Sequence, residues 1–281
     1  MEGKVKVYAN LAGVEVGDGF PVRIVGAINV SPESFFAGSV ARDRRALGKL
    51  AQRMADEGAA LLDIGAMSTA PYVRGAIDED EERKRMLAAV RIVRAAVGIP
   101  LSIDTQRASV AAAALEAGAD VINDISGLRR DAGMGPVARH ARGAILMALE
   151  YGPSRAAPLS LIAGLLRQCL QRAAAARIPR QQIVLDPGIG FFRQSKVSWH
   201  ELDCEVLRHL GRLRRLGQPL LVGVSRKSFI GHLTGHKTPA DRLYGSLAAA
   251  AIAVANGASL VRAHDVRATV DVVRVAESLR R

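Results

Sequence analysis

Short runs of Val, Ile, Leu and Ala recur along the chain, separated by longer stretches in which apolar residues return every three or four positions. The short runs are RIVGAIN (23–29), ALLDIG (60–65), PLSIDT (100–105), DVINDI (120–125), GAILMAL (143–149), QIVLDPG (182–188), PLLVGVS (219–225) and SLVRAHD (259–265). They lack a strict period of two, as expected of strands buried on both faces. The stretches between them predict helices near 43–57, 80–97, 107–117, 130–141, 155–176, 200–216, 239–256 and 266–280. Several strands follow a glycine-based helix stop, as in EGAALLDI, EAGADVINDI and NGASLVRA.

Eight strands in strict alternation with eight helices predict a parallel sheet wrapped by helices, in the form of a closed (β/α)8 TIM barrel. The alternative, an open doubly wound sheet, usually has fewer strands and a glycine-rich first turn; neither GxGxxG nor GxxxxGK[ST] is present. The stretches KVKVYA and GVEVGDG predict a short β-hairpin over residues 1–20, ahead of a barrel over 23–280. With no linker and no repeat beyond the βα unit, residues 1–281 read as a single domain.

Composition changes this picture little. The formal charge is +12, but 32 of the 39 basic residues are Arg and only seven are Lys. No basic block is interleaved with aromatic residues, so the excess is assigned to exposed helix faces and no nucleic-acid partner is expected. RHLGRLRRLGQ (208–218) reads as the solvated face of a helix. No run of 18 apolar residues is present, so no membrane span is expected. MEGKVKVYANLAGVEV lacks the apolar core of a secretory signal, which predicts a cytoplasmic protein with Cys169 and Cys204 reduced.

The chemistry lies where the strands end, because barrels of this kind carry it on the loops leaving the C-terminal ends of their strands. Those ends offer Asn29, Asp63, Asp104 with Thr105, Asn123 with Asp124, Met147, Asp186, then Ser225-Arg226-Lys227, and Arg262 with His264 and Asp265. Asp104, Asn123 and Asp186 suit a planar heterocycle with adjacent N–H donors, and Lys227 can donate to a ring carbonyl or nitrogen. Asn29, Arg262 and His264 form a second cluster, suited to phosphate with or without a metal. Four residues have plainer readings. Beside a place at the mouth, Asp63 can equally be a structural carboxylate satisfied by backbone amides, Asp124 can equally tie down its loop and Arg226 can equally make a surface ion pair, while Asp265 is expected to cap the last helix.

INVSPESF, DIGAMSTAP, SIDT, GADVINDISG, LDPGIGF, GVSRKSFIG, GSLAAAAIAVANGA and VRAHDV, in this order, closely resemble the dihydropteroate synthases of the pterin-binding enzyme family. The resemblance covers residues 23–280. It implies a barrel enzyme, usually a homodimer. The reaction implied condenses 6-hydroxymethyl-7,8-dihydropterin pyrophosphate with p-aminobenzoate, giving 7,8-dihydropteroate and pyrophosphate for folate biosynthesis. Asp104, Asn123, Met147, Asp186 and Lys227 would then hold the pterin. Thr69, Pro71, Phe191 and Ser225 would surround p-aminobenzoate, with Lys227 alongside. Asn29, Arg262 and His264 would take the pyrophosphate, with Asn29 as the protein ligand of Mg²⁺. Lys227, Asp104, Arg262 and His264 would carry catalysis.

The second loop departs from the family. Where Gly-Glu-Ser-Thr-Arg-Pro-Gly is typical, this chain has Ala66-Met67-Ser68-Thr69-Ala70-Pro71-Tyr72, so Ala70 replaces an arginine, with Arg74 nearby. Glu33 replaces an Asp, Ala37 stands at a commonly acidic position, Phe192 replaces a Gly, and MALEYG replaces a His-Met-Gln-Gly run. These changes predict reduced sulfonamide sensitivity. They also keep two other readings in play. One is a corrinoid methyltransferase using methyltetrahydrofolate, which has no need of SRKS; the other is a pterin-binding paralogue without catalysis.

Overall fold

The computed structural model describes residues 6–30, 40–67, 77–150, 157–192 and 198–280. Strands β1 (Tyr8–Leu11) and β2 (Val14–Gly17) form an antiparallel hairpin, with Leu11 opposite Val14. Its turn is Ala12-Gly13, both at positive φ (55° and 97°), the backbone twist that two-residue hairpins favour. The Asn10 side chain accepts the Gly13 N–H at 2.6 Å, and the Ala12 N–H reaches the Arg142 carbonyl at 3.1 Å, fastening the turn to the barrel.

The barrel strands are β3 (Arg23–Asn29), β4 (Leu61–Gly65), β5 (Leu101–Asp104), β6 (Val121–Asp124), β7 (Ala144–Met147), β8 (Ile183–Asp186), β9 (Leu221–Gly223) and β10 (Leu260–Ala263). All are parallel, in the order β8-β7-β6-β5-β4-β3-β10-β9. A single bridge, Leu185 with Leu220, closes the ring between β8 and β9. Partners followed round the ring from Asn29 run through Gly65, Asp104, Asn123, Ile145 and Val184. The same registers, carried across the bridge and β10, return to residue 21, eight residues below the start. That stagger is the shear of eight that defines this barrel type.

Around it lie α1 (Val40–Asp56), α2 (Glu79–Ala96), α3 (Ala108–Glu116), α4 (Met134–Ala138), α5 (Pro158–Ala175), α6 (Trp199–Arg208), α7 (Ser228–Thr234), α8 (Leu243–Ala255) and α9 (Val266–Leu279). Three helices differ from expectation. α4 is five residues long, with two glycines and a proline in and before it. α6 stops at Arg208, and a 3₁₀ helix covers Leu210–Leu216. Its leucines at 210, 213 and 216 recur every third residue, so three residues per turn set them on one face. α7, directly after Lys227, is not among the expected helices; its seven residues are too few to show a period.

Alternation along each strand separates two cores. Ile28, Leu62, Ile64, Ile103, Ile122, Leu146, Leu185 and Val222 face the helices. Val25, Leu61, Val121, Ile145, Val184, Leu221 and Leu260 face inward and pack with Ala9, Leu11 and Val16 of the hairpin. The hairpin therefore plugs the lower end of the barrel. Its exit is held by α9, where the Glu277 carboxylate accepts the Val22 N–H at 2.6 Å. Among the described residues no helix is long and apolar enough to cross a membrane.

Candidate active site

Above the plug, the same alternation turns the next inward positions polar. Asp63 is completely buried, and its Oδ2 accepts two side-chain bonds, from Arg262 Nε at 2.6 Å and from Asn123 Nδ2 at 3.1 Å. Its partners are thus side chains of β10 and β6, not backbone amides, and its Oδ1 is buried with no hydrogen-bond partner among the described residues. Asp63 matches the Arg262 cation inside the barrel and takes one N–H of the Asn123 amide, leaving the amide carbonyl and the second N–H for other partners. This carboxylate joins the two expected clusters; sequence reasoning offered Asp63 as a strand end at the mouth but did not assign it that link.

Asp104 and Asp186 stand on either side. Burial, and next the charge of Asp63, push Asp104 up to about 7, against the pull of Arg262. Its Oδ1 is buried with no hydrogen-bond partner among the described residues. Burial raises Asp186 to about 6, opposed by the Gly188 N–H, which donates to its Oδ1 at 2.7 Å, and by Lys227. Burial lowers Lys227 to about 8, and Asp186 opposes that fall. The Lys227 Nζ lies 4.3 Å from the centroid of the Phe191 ring, in cation–π range. Two carboxylates with weakened hold on their charge thus face a lysine in the same condition, the state expected of a site awaiting a polar ligand. Met147, at the end of β7, is buried in the wall beside them.

On the β10 side, His264 Nδ1 lies 3.0 Å from Ser225 Oγ, and the His264 backbone N–H reaches the same oxygen at 3.3 Å. Its Nε2 is 3.5 Å from Asn29 Nδ2. Burial, then the Arg262 and Arg226 charges, lower His264 to about 4, so the imidazole is neutral at pH 7. Asn29, Ser225, Arg262 and His264 therefore share one side of the mouth, with Asp104, Asn123, Asp186, Lys227 and Phe191 across it.

Of the four plainer readings, two hold. The Asp124 carboxylate takes the N–H groups of Ser126 and Leu128, both at 2.8 Å, and so ties down its own loop. Arg226 makes an ion pair, with Asp265 as its partner. Asp265 does occupy the N-cap position of α9, but its side chain makes no cap bond because it is held by Arg226. Thr69 and Pro71, with Ala70, Arg74, Glu33 and Ala37, lie outside the described residues.

A family model described as pterin binding enzyme matches residues 25–264. The dihydropteroate synthase of Synechocystis sp. is 38% identical, over 91% of this chain and 89% of that protein. Among solved structures, Xanthomonas albilineans dihydropteroate synthase with 4-aminobenzoic acid superposes with a TM-score of 0.87 at 35% identity, covering 98% of both chains. The Yersinia pestis dihydropteroate synthase with a sulfonamide drug complex gives 0.85 at 32% identity, covering 98% of this chain and 99% of that one. Sequence, barrel and strand-end chemistry agree, and the chain belongs to the pterin-binding enzyme family, among its dihydropteroate synthases.

Proposed function

We propose that this chain condenses 6-hydroxymethyl-7,8-dihydropterin pyrophosphate with p-aminobenzoate, and that the residues described above carry the reaction. The supporting observation is the pairing of Asp104 and Asp186, raised to about 7 and 6, with Lys227, lowered to about 8, at one mouth. A pterin presents adjacent N–H donors on one edge and a carbonyl nearby. Asp104 and Asp186 accept from the donors, Asn123 offers its carbonyl oxygen, and Lys227 donates to the pterin carbonyl or a ring nitrogen. Met147 lines the pterin.

The C–O bond to pyrophosphate breaks with its electron pair leaving on oxygen, and the methylene carbon becomes cationic with the charge shared by the ring. Asp104 and Asp186 stabilise that cation, while Arg262 and neutral His264 bind the departing anion. The arylamine, placed against Phe191 and Ser225 with Thr69 and Pro71, attacks through its nitrogen lone pair and gives up a proton to the departing pyrophosphate. No protein nucleophile takes part; alignment of two substrates can itself lower a barrier by about 7–11 kcal/mol.

Mg²⁺ fits this donor set in a restricted way. Among the described residues no group of three or more His, Cys, Asp or Glu could hold a metal. Asn29 stands at the rim, with its Oδ1 beside Gly65, the paired position on β4. One protein oxygen left open beside a phosphate site matches the usual habit of Mg²⁺, which keeps waters and takes substrate phosphates. When bound, the ion supplies charge neutralisation on pyrophosphate.

We assign the exposed apolar side chains of α8 and α9, including Tyr244 (83% exposed), Val275 (61%) and Leu279 (76%), to a homodimer contact. Tyr244→Asp should then yield monomer by light scattering. Free Cys169 and Cys204 accord with a cytoplasmic setting. Ala70 motivates weak sulfonamide binding, and inhibition by sulfamethoxazole as strong as in sensitive relatives would refute it.

The deciding assay follows dihydropteroate and pyrophosphate formation from both substrates with Mg²⁺. Product from the wild type, lost in Lys227→Ala, supports the synthase. Pterin binding without product would favour the paralogue, and methyl transfer from methyltetrahydrofolate would favour the corrinoid enzyme.

A further inference from the structure

Arg226 sits between two residues of the site and points away from both. Its φ is +58°, a left-handed conformation that is sterically unfavourable for a non-glycine residue. Such strain persists only where the surroundings over-determine it. Here they do. The Arg226 N–H donates to Ser246 Oγ at 2.8 Å, and its carbonyl accepts from Arg242 Nη1 at 3.1 Å. Ser246 Oγ in turn donates to the Arg242 carbonyl at 2.6 Å, so the start of α8 grips this turn from behind. The guanidinium makes a two-pronged contact with Asp265, Nε to Oδ2 at 3.0 Å and Nη2 to Oδ1 at 2.7 Å.

If the chain needed only the turn, glycine would supply it without steric cost. An arginine that bears the strain and then reaches across to β10 indicates that the reach itself is in use. Its destination is specific. Asp265 follows His264, while Arg226 lies between Ser225 and Lys227. The ends of β9 and β10 are therefore cross-linked twice, by Ser225 with His264 on the mouth side and by Arg226 with Asp265 behind it.

We infer that Arg226 and Asp265 are positioning residues that lock the Lys227 half of the site and the His264 half into one frame. The inference rests on the proposed function, in which Lys227 holds the pterin and His264 the pyrophosphate. Neither Arg226 nor Asp265 touches substrate. A planar guanidinium fork on a carboxylate fixes two directions at once, which two contacts converging on the single Ser225 Oγ do not. With the fork in place, a ligand that settles Lys227 also settles His264, and filling one half prepares the other. Without it, each half still binds, but independently.

The test is calorimetric titration of 6-hydroxymethylpterin and of inorganic pyrophosphate with Mg²⁺, each alone and each with the other at saturation. It is applied to the wild type, Arg226→Gly, Asp265→Asn and Arg226→Lys. Arg226→Gly keeps the left-handed turn and deletes only the fork. In the wild type each ligand should tighten the other. In Arg226→Gly and Asp265→Asn the separate affinities should stay within about twofold, while the mutual tightening falls about tenfold, the size of an ordinary coupling between sites. Arg226→Lys, which keeps the charge without the fork, should lose part of it. Full coupling in Arg226→Gly or Asp265→Asn overturns the inference, as does a loss of single-ligand affinity with coupling intact. If both of those variants fail to fold, the pair is a stability element and the inference falls. A wild type that binds neither ligand would instead refute the proposed function.

Discussion

Asp63→Asn removes one charge from the centre of the site and keeps its shape. Asp63 lies opposite Ser102 on the neighbouring strand, two residues before Asp104. Strand spacing and rise separate the two positions by ~8 Å, which is taken as the distance between their charges. At an effective dielectric of ~20 their repulsion is ~2 kcal/mol, or ~1.5 pH units. Burial is the larger cause of the rise of Asp104 to about 7, so the substitution lowers it only in part. Arg262, freed from Asp63, would add to the fall. A carboxylate that must be ionised to accept pterin N–H groups loses function as pH drops through its pKa. The acid limb of kcat/KM should therefore move from near 7 to ~5.5 by the same arithmetic.

The cost appears in stability. Removing one partner of a buried ion pair costs about 3–5 kcal/mol, and an amide that still accepts one bond belongs at the lower end. For a chain of 281 residues, unfolding entropy converts about 3 kcal/mol into a fall of about 5 °C in Tm. The plateau rate should fall about tenfold as Arg262 loses its fixed direction. The assay is a pH series of initial rates together with thermal melts of the apoprotein. An acid limb and a Tm both equal to the wild type's would refute the assignment of Asp63 as the charge linking the two halves of the site.

In the wild type, kcat/KM should be bell-shaped, falling below about 6–7 as Asp186 and Asp104 take up protons and above about 8 as Lys227 loses one; a flat profile from pH 5 to 9 would count against that trio. Gly190→Ala sets a Cβ 3.0 Å from Lys227 Cδ at φ +84°, so KM for the pterin substrate should rise about tenfold as the lysine leaves Phe191, with about 1–2 kcal/mol lost to backbone strain; steady-state kinetics and urea melts check both. Leu11→Ala, in the plug, should cost about 2–5 kcal/mol in chemical denaturation and leave kcat/KM unchanged at 20 °C, because Leu11 packs with the lower apolar layer of the barrel, below the polar strand ends.

The sequence was most readable where the signal is local. RIVGAIN coincides with β3, residue for residue, and every expected strand appears within a few residues, because a short apolar run between glycine stops has few other fates. The polar ends of those strands were legible for the same reason: a buried run that stops at Asp, Asn or Lys announces its open end. The link made by Asp63 was not, since its partners lie 60 and 199 residues away and nothing beside it in the chain names them. Asp265 misled in the opposite way. Its position before α9 satisfies the local rule for a cap, and a partner 39 residues back takes the side chain instead.

The closure of the ring has a consequence for its motions. Strands β3 and β4 share five paired positions, whereas β8 and β9 meet at one bridge, supported by the Leu185 N–H on the carbonyl of Pro219, which has no N–H to return. The barrel is thus a hoop with a thin weld. Asp186 stands on one side of the weld, and Ser225 and Lys227 stand on the other. Under the proposed function, a pterin held by both would rivet the hoop across its weakest point. Amide hydrogens of residues 183–186 and 221–223 should exchange faster than those of β3 and β4 in the empty protein, and slow most when the ligand arrives. The enzyme would then be stiffest while it holds its substrate.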